Sequence, residues 1–471
     1  MKTPSFRNAI VFGAGASGRA AARALLRRGV RTAVAVREAD AATDALAALG
    51  ARVMAGDPAA SVAEWTRENG SGAAVFSPGI PPSAPEFAAA VGAGLRVVGE
   101  LALGCALFEG RQVAVTGSKG KSSLVKLLAD ALSADGRPAV PCGNYGTPVC
   151  EVADLAPAPA FAVLECSSFQ LQTADDALRP EAAVLLNLSV DHLNRHGTME
   201  AYREAKLSLF AWQAPDALAL LPAPDEDPFA LARTFERLFP GRAFETFGAS
   251  AGADWRYADH AVAGTASGFR ADVRGSYFDN AVLGPAAAAA CAVLHRLGLS
   301  PEAAGRALRA FEPLPHRMSR VGASGGVVWI DNSKATSLAA LLASVRMAPK
   351  PVRLLAGGRL KEPLSTSGKE LLDSGVEIAY TLGECGAEMA RAWSAALPVR
   401  ECGTLEEAVR RAASGLAPGA RGSVLLAPGT ASFDQFRNFE ERGDAFARFV
   451  RSFAPSFEPL SPSTSHPDPQ L

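Results

Sequence analysis

Apolar residues along this chain fall into short unbroken runs that stop abruptly at glycine or a polar side chain, and helical spacing follows each run. The first run, residues 9–12, stops at Gly13-Ala-Gly15-Ala-Ser-Gly18 and leads into an alanine-rich helix, then a second strand at 32–36. Ser77-Pro-Gly-Ile80 punctuates a further strand end, and Val97-Val-Gly-Glu100 closes this first unit. A run at 113–115 breaks at 116–120, after which Leu124, Leu127 and Leu128 repeat at helical spacing. Leu164-Glu-Cys-Ser-Ser-Phe-Gln-Leu171 and Val184-Leu-Leu-Asn-Leu-Ser-Val-Asp-His-Leu193 also pass from apolar to polar without transition. Runs without alternation predict strands covered on both faces, hence parallel sheets with polar residues at the strands' carboxyl ends.

The pattern predicts an α/β protein of three domains. Residues 1–106 form a Rossmann-like domain, 107–313 a central P-loop ATPase-type parallel sheet domain, and 314–454 a C-terminal Rossmann-like α/β domain. Within the central part a helix is expected at 199–206 and an alanine-rich one at 286–297. Residues 213–281 are less regular, with a Pro/Asp-rich loop at 222–228 and antiparallel strands expected. Phe311-Glu-Pro-Leu-Pro-His-Arg317 marks a joint. Beyond it, strands are predicted at 327–330, 352–355, 378–382 and 424–427. The loops at 331–336, 357–361 and 428–436 each follow a strand and make a polar face. Residues 455–471, rich in Pro and Ser and without periodicity, are expected to be disordered.

Composition narrows the function. The chain has 471 residues, more than one ordinary core, with 48% hydrophobic and 20% charged residues. With 47 basic and 48 acidic residues it has no excess charge to attract nucleic acid or an anionic membrane. It lacks the apolar leader of a signal peptide and any run near the ~20 residues of a membrane span. Seven cysteines without a C-x-x-C pair read as reduced thiols. A cytoplasmic protein, monomeric, is the expectation.

The chemistry centres on Thr116-Gly-Ser-Lys-Gly-Lys-Ser122. Strand, glycine turn and helix together direct backbone N–H groups and the helix dipole at one point, and Lys121 adds a full charge. A polyphosphate fits there, and Ser122 can reach its magnesium. The longer loop would place glycine at 115, where this chain has valine, so this is the shorter form. Gly13 to Gly18 suits a diphosphate as well. The strand after it ends in Val36-Arg37-Glu38 without the acid that a dinucleotide's ribose usually meets, which disfavours a dehydrogenase. Glu165 and His192, at neighbouring strand ends, face the same phosphates and make a magnesium site plausible chemistry. Phe433, Phe436 and Phe439 fall at i, i+3 and i+6, so core packing is expected for at least one. His196, His260, His295 and His466 carry no partner pattern.

With these residues in view, the chain resembles the Mur ligases, ATP-dependent amino-acid-adding enzymes of peptidoglycan precursor synthesis, over nearly all of 9–450. The phosphate loop, residues 187–192 with 202–206, and residues 331–336 mark the family. Glu165 to Leu171 and Ala431-Ser-Phe-Asp-Gln-Phe-Arg-Asn-Phe-Glu-Glu-Arg-Gly443 resemble its glutamate-adding branch.

The resemblance implies that D-glutamate is joined to UDP-N-acetylmuramoyl-L-alanine through an acyl phosphate, giving ADP and phosphate. It assigns Gly117, Ser118, Lys119, Gly120, Lys121, Ser122 and Ser123, with Arg317 and Lys334, to ATP. Ser122 and Glu165 go to one Mg²⁺, His192 and Lys206 to a second, with Lys206 carbamylated. Lys121, Glu165, His192 and Lys206 are thereby the catalytic set. Ser17 matches a uridine diphosphate contact, and Asn144 and Ser167 contacts to the muramoyl-alanine end. His316 matches the joint, while Thr336, Lys361, Ser432, Phe433 and Phe439 match the glutamate pocket. Closure about the joint near Leu314 is implied before reaction.

Four positions depart from the family pattern. Lys119 replaces an Asn, Asn332 stands where an Asp is usual with Asp331 displaced by one, and the acid ending the second strand is absent. The Gly-x-His-Asn-x-x-Asn run that grips adenine is replaced by Ala281-Val-Leu-Gly-Pro-Ala-Ala. Alternatives carried forward are the same ligation with L-glutamate, a folate polyglutamylating ligase, disfavoured by residues 431–443, and a nucleotide-dependent regulatory protein that has lost ligation.

Overall fold

The computed structural model describes residues 2–361, 363–454 and 456–459. Its first sheet contains β1 (Asn8–Phe12), β2 (Arg31–Val36), β3 (Arg52–Ala55), β4 (Ala73–Phe76) and β5 (Arg96–Gly99), all parallel in the order β3-β2-β1-β4-β5. Both faces are buried, which is why the runs do not alternate. Ile10, Phe12, Ala33 and Phe76 pack on one side, where the Phe12 and Phe76 rings stack at 4.5 Å. Val11, Val34 and Val75 meet the alanine face of helix Ala16–Arg27 on the other. Strand order reverses between β1 and β4, which opens a crevice at their carboxyl ends.

The second sheet has nine strands: β6 (Arg111–Thr116), β7 (Ala139–Gly143), β8 (Phe161–Glu165), β9 (Ala182–Leu185), β10 (Leu218–Pro222), β11 (Glu245–Gly248), β12 (Trp255–Ala258), β13 (Ala261–Gly264) and β14 (Arg270–Asp272). Their order is β14-β13-β12-β11-β10-β9-β6-β8-β7. The antiparallel pairing expected across 213–281 is confined to β12 with β13 and β13 with β14, since β10 and β11 run parallel to both their neighbours and β12 runs parallel to β11. Helix Met199–Leu207 matches its expectation, and the alanine-rich helix spans Gly284–Arg296.

The third sheet comprises β15 (Ser319–Ser324), β16 (Val327–Asp331), β17 (Val352–Gly357), β18 (Val376–Leu382), β19 (Val399–Gly403), β20 (Gly422–Leu426) and β21 (Phe457–Pro459), ordered β19-β18-β17-β20-β16-β15-β21. Its parallel core is covered by helices Leu338–Met347 and Gly386–Trp393 on one face and by Leu405–Ser414 and Phe439–Phe453 on the other. Gly325 and Gly326, both at positive φ, turn β15 into β16. The expectation of disorder from 455 onward fails at β21, which pairs antiparallel with Gly322–Ser324 of β15. Residues 455 and 460–471 lie outside the described residues.

The described residues form two compact units, residues 2–274 with 284–309, and residues 275–283 with the described residues from Ala310 onward. The first two sheets therefore share one unit, although the sequence reading separated them at 106. Helices Glu100–Leu107 and Val149–Val152 pack together there, and Cys150 N donates to Glu100 Oε1 at 2.8 Å. Burial pushes the Glu100 carboxyl up to about 7.

Candidate active site

In the first unit, the turn between β6 and helix Lys121–Ala134 has Gly117 at φ 146° and Gly120 at φ 83°, conformations a side chain resists. Gly120 is the N-cap and no side chain caps the helix. Asn187 fixes the loop from the neighbouring strand end: its Oδ1 accepts from Ser118 N at 3.2 Å and Lys119 N at 2.9 Å, and its Nδ2 donates to Lys119 O. Tyr202 Oη lies 3.2 Å from Ser118 Oγ. Ser123 is buried, and Lys121 Nζ folds onto the loop, donating to Gly117 O at 2.8 Å and Ser118 O at 3.2 Å.

Glu165 ends β8 beside this loop and is 3% exposed. Asn144 donates its Nδ2 to Glu165 Oε1 at 2.8 Å, while Oε2 is buried and has no hydrogen-bond partner among the described residues. A buried carboxylate oxygen in that state is costly until a cation or donor reaches it. Ser167, next along, spends its hydroxyl on the capping box of the short helix Ser168–Leu171, with Gln170 as partner.

Lys206 is 2% exposed and donates to Gly117 O at 2.8 Å. Burial, and then the nearby Lys121 ammonium, push its amine down to about 7. His192 sits at φ 52° at the N-cap of helix Leu193–His196, its ring 5.0 Å from Phe169 and 6.1 Å from Tyr202. Lys206 Nζ lies 4.7 Å from the Tyr202 ring centre, so phosphate loop, Glu165, His192 and Lys206 surround one region. Among the described residues no cluster of three or more His, Cys, Asp or Glu is arranged to hold a metal. The donor set here, one orphaned carboxylate, a hydroxyl, an imidazole and an amine of lowered basicity, fits magnesium only together with phosphate oxygens and a modified lysine.

At the crevice of the first sheet a cleft of about 490 Å³ is lined by Phe12, Gly13, Arg37, Gly79 and Ile80, among others. Ser17 lies in the first turn of the helix beside Gly13. Arg195 ties this region to the second sheet, donating from Nη2 to Ile80 O at 3.2 Å and to Gln172 Oε1 at 3.0 Å.

The second unit carries the remaining expected residues. His316 Nδ1 is 2.7 Å from Asp331 Oδ2, and its own carbonyl accepts from Lys334 N at 3.1 Å. Lys334 Nζ stands 3.8 Å over the Phe439 ring, and Thr336 N donates to Lys334 O. Asn332 is a tie rather than an acid: its Oδ1 accepts from Met318 N and its Nδ2 donates to Ser344 Oγ at 2.6 Å. Arg359 and Ala431 bridge the turn after β17 to the loop after β20, leaving Lys361 exposed two residues on. Ser432 is buried, whereas Phe433 is 63% exposed and Phe436 packs on the core, the place expected for one of the three phenylalanines. Arg317 N donates to Leu314 O at the joint.

Sequence reasoning gave no role to Asn187, Tyr202 or His196. His196 Nε2 is 3.0 Å from Ser168 Oγ and its ring is 5.2 Å from Tyr202; burial, then Arg195, lower its pKa. Its spacing of four from His192 around a short helix is the signal that was available.

The model of the Mur ligase middle domain matches residues 115–281, the stretch that holds phosphate loop, Glu165, His192 and Lys206. This chain belongs to the Mur ligase family. Its curated relatives are more particular. The UDP-N-acetylmuramoylalanine–D-glutamate ligase of Frankia casuarinae is 36% identical, covering 94% of this chain and 93% of its own. The enzyme of the same name from Anaeromyxobacter dehalogenans is 38% identical, covering 93% and 96%. Among solved structures, the MurF ligase of Thermotoga maritima in complex with ADP superposes with a TM-score of 0.57 at 19% identity, over 90% of this chain and 96% of that one, a likeness of fold.

Proposed function

We infer that the protein joins D-glutamate to UDP-N-acetylmuramoyl-L-alanine at the expense of ATP, releasing ADP and phosphate in peptidoglycan precursor synthesis. The observation that carries the reading is a buried Glu165 with an orphaned oxygen and a buried Lys206 bonded to Gly117 O, both at the phosphate loop, in a chain whose full-length relatives bear that enzyme's name.

The chemistry follows from a difficulty: a carboxylate is a poor electrophile. Transfer of the γ-phosphoryl group of ATP to the alanyl carboxylate makes an acyl phosphate, the glutamate amine attacks its carbonyl carbon, and phosphate leaves. Negative charge on phosphoryl oxygens dominates both steps, so positioning and cations supply most of the acceleration. The loop N–H groups and Lys121 cradle the phosphates. Lys121 must then leave Gly117 O and Ser118 O, which it occupies here, for a phosphate oxygen.

Ser122 and Glu165 would hold one magnesium, and His192 with Lys206 a second, neutralising phosphate charge. Asn144 orients Glu165 by occupying its other oxygen. Lys206 suits carbamylation because its amine, lowered to about 7, is substantially neutral at neutral pH and can attack carbon dioxide. The product is a carboxylate with one proton released, which puts an anion beside Lys121. Ser17 and the cleft beside Gly13 would take the uridine diphosphate, Asn144 and Ser167 the muramoyl-alanine end, and Arg317 with Lys334 ATP. Thr336, Lys361, Ser432, Phe433 and Phe439 would take glutamate, with His316 fixing the loop beneath Lys334.

The test is phosphate release from ATP and Mg²⁺ with UDP-N-acetylmuramoyl-L-alanine plus D-glutamate, L-glutamate or neither. Release with D-glutamate alone is expected. Release with L-glutamate changes the substrate; silence in all three, with ATP bound, sinks ligation.

A further inference from the structure

Arg442, on helix Phe439–Phe453, is 1% exposed, yet the partners of its guanidinium are neutral. Nε donates to Ser333 Oγ at 2.9 Å, and Nη2 donates to Ser333 O at 2.9 Å and Thr430 O at 3.2 Å. Nη1 is buried and without a partner among the described residues. Burial pushes the group down to about 10, with Asp434 and Asp331 opposing, so it is charged at neutral pH. A buried cation whose hydrogen bonds, among the described residues, go only to a hydroxyl and carbonyls is a costlier way to fill space than methionine or leucine. What the guanidinium alone supplies is a rigid planar fork that reaches several acceptors at once.

Those acceptors lie on different loops. Ser333 belongs to the turn after β16 and Thr430 to the loop after β20. Ser333 Oγ passes the connection on, donating to Phe439 O at 2.8 Å. The third loop closes on the same point: a Cβ added to Gly358 would stand 2.5 Å from Thr430 Oγ1 and 3.3 Å from Arg442 Nη1.

We propose that Arg442 is the positioning residue of the amino-acid pocket, fixing the turn at 331–336 against the loop at 428–436 and so setting Thr336, Ser432 and Phe439 relative to one another. The inference rests on the reading of these loops as the glutamate site. Glutamate carries two carboxylates and an amine, so both its grip and the choice between its enantiomers depend on the spacing of contacts from separate loops, and a displacement near 1 Å costs about 100-fold.

The experiment compares wild type, Arg442→Lys and Arg442→Ala in steady-state phosphate release, varying each substrate in turn, with thermal unfolding alongside. The alanine variant is expected to raise the glutamate KM by about 100-fold while the KM for ATP stays within about 2-fold. Methylguanidinium at low millimolar concentration should restore the alanine variant, and lysine, which lacks the fork, should recover little even where it folds fully. Should Arg442→Ala fail to fold, Ser333→Ala carries the test through a smaller rise, about 10-fold, from the lost hydroxyl. A folded variant with unchanged glutamate KM, or with equal rises for all three substrates, overturns the proposal. Wild type without glutamate-dependent release would sink the pocket reading and this inference with it; active wild type with indifferent variants sinks only the inference.

Discussion

Lys206 and Lys121 donate to one acceptor, Gly117 O, each from 2.8 Å. Burial, and then the Lys121 ammonium at the same carbonyl, lower the Lys206 amine to about 7. If carbon dioxide caps that amine, the side chain becomes the anion the site needs. Lys206→Ala is therefore expected to lose phosphate release by at least about 100-fold, and acetate or formate, or Lys206→Glu, to restore part. Bicarbonate depletion should slow wild type but not Lys206→Glu. An alanine variant with full activity would remove Lys206 from the mechanism.

Glu165 gives a separate handle on the cation. Its Oε1 is held by Asn144 and its Oε2 is left alone in the interior. Glu165→Gln keeps the shape and removes the charge, so the magnesium concentration for half-maximal phosphate release should rise by about 10-fold or more. Asn144→Ala, which frees the carboxylate to turn, should show a smaller rise. Identical magnesium curves for wild type and Glu165→Gln would disprove the assignment.

Two glycines three residues apart separate folding from binding. A Cβ on Gly18 would lie 1.9 Å from Gly13 O, so Gly18→Ala must push helix Ala16–Arg27 off the sheet, at about 1–3 kcal/mol. A Cβ on Gly15 meets nothing within 4 Å, and Gly15 has φ −66°, which alanine adopts freely. Gly15→Ala should thus leave the melting temperature unchanged, yet raise the KM for the uridine-diphosphate substrate if that diphosphate approaches the turn. Equal melting temperatures for both variants would refute the packing argument.

Much of this architecture was legible because buried parallel strands leave unbroken apolar runs, as at 9–12, 113–115 and 424–427. Glu165 could be found where such a run stops, whereas His192, expected at a strand end, lies beyond β9 at the N-cap of the short helix Leu193–His196. The direction of short strands was not legible: β10 to β12 are four or five residues long in a segment mixed with Pro and Asp, and their parallel pairing is set by neighbours in the sheet. β21 hid in a Pro/Ser composition and exists through pairing with β15. Arg442 follows Glu440 and Glu441 in the first turns of a helix and looks like part of a solvated face; only its burial and three loop contacts reveal it.

The pair between His316 and Asp331 makes the last prediction a matter of sign. The 2.7 Å hydrogen bond to Asp331, ahead of the opposing effect of burial, raises the His316 pKa, with Asp331, Asp444 and Glu440 adding their charges. A histidine whose folded pKa is raised binds its proton more tightly when native. The stabilisation is complete below the unfolded value near 6.5 and is lost as pH rises through the folded value. Asp331→Asn removes the charge, so the gap in melting temperature between wild type and this variant should be widest below about pH 6.5 and narrow above it. The effect is on the order of 1 kcal/mol, a shift of about 3 °C. Gly443 supplies a control, because its added Cβ would stand 2.0 Å from His316 Nδ1 and 2.7 Å from Asp331 Oδ2, driving the two apart. Gly443→Ala should therefore flatten the pH dependence as Asp331→Asn does. A gap that widens with rising pH would mean that burial, not the carboxylate, governs His316.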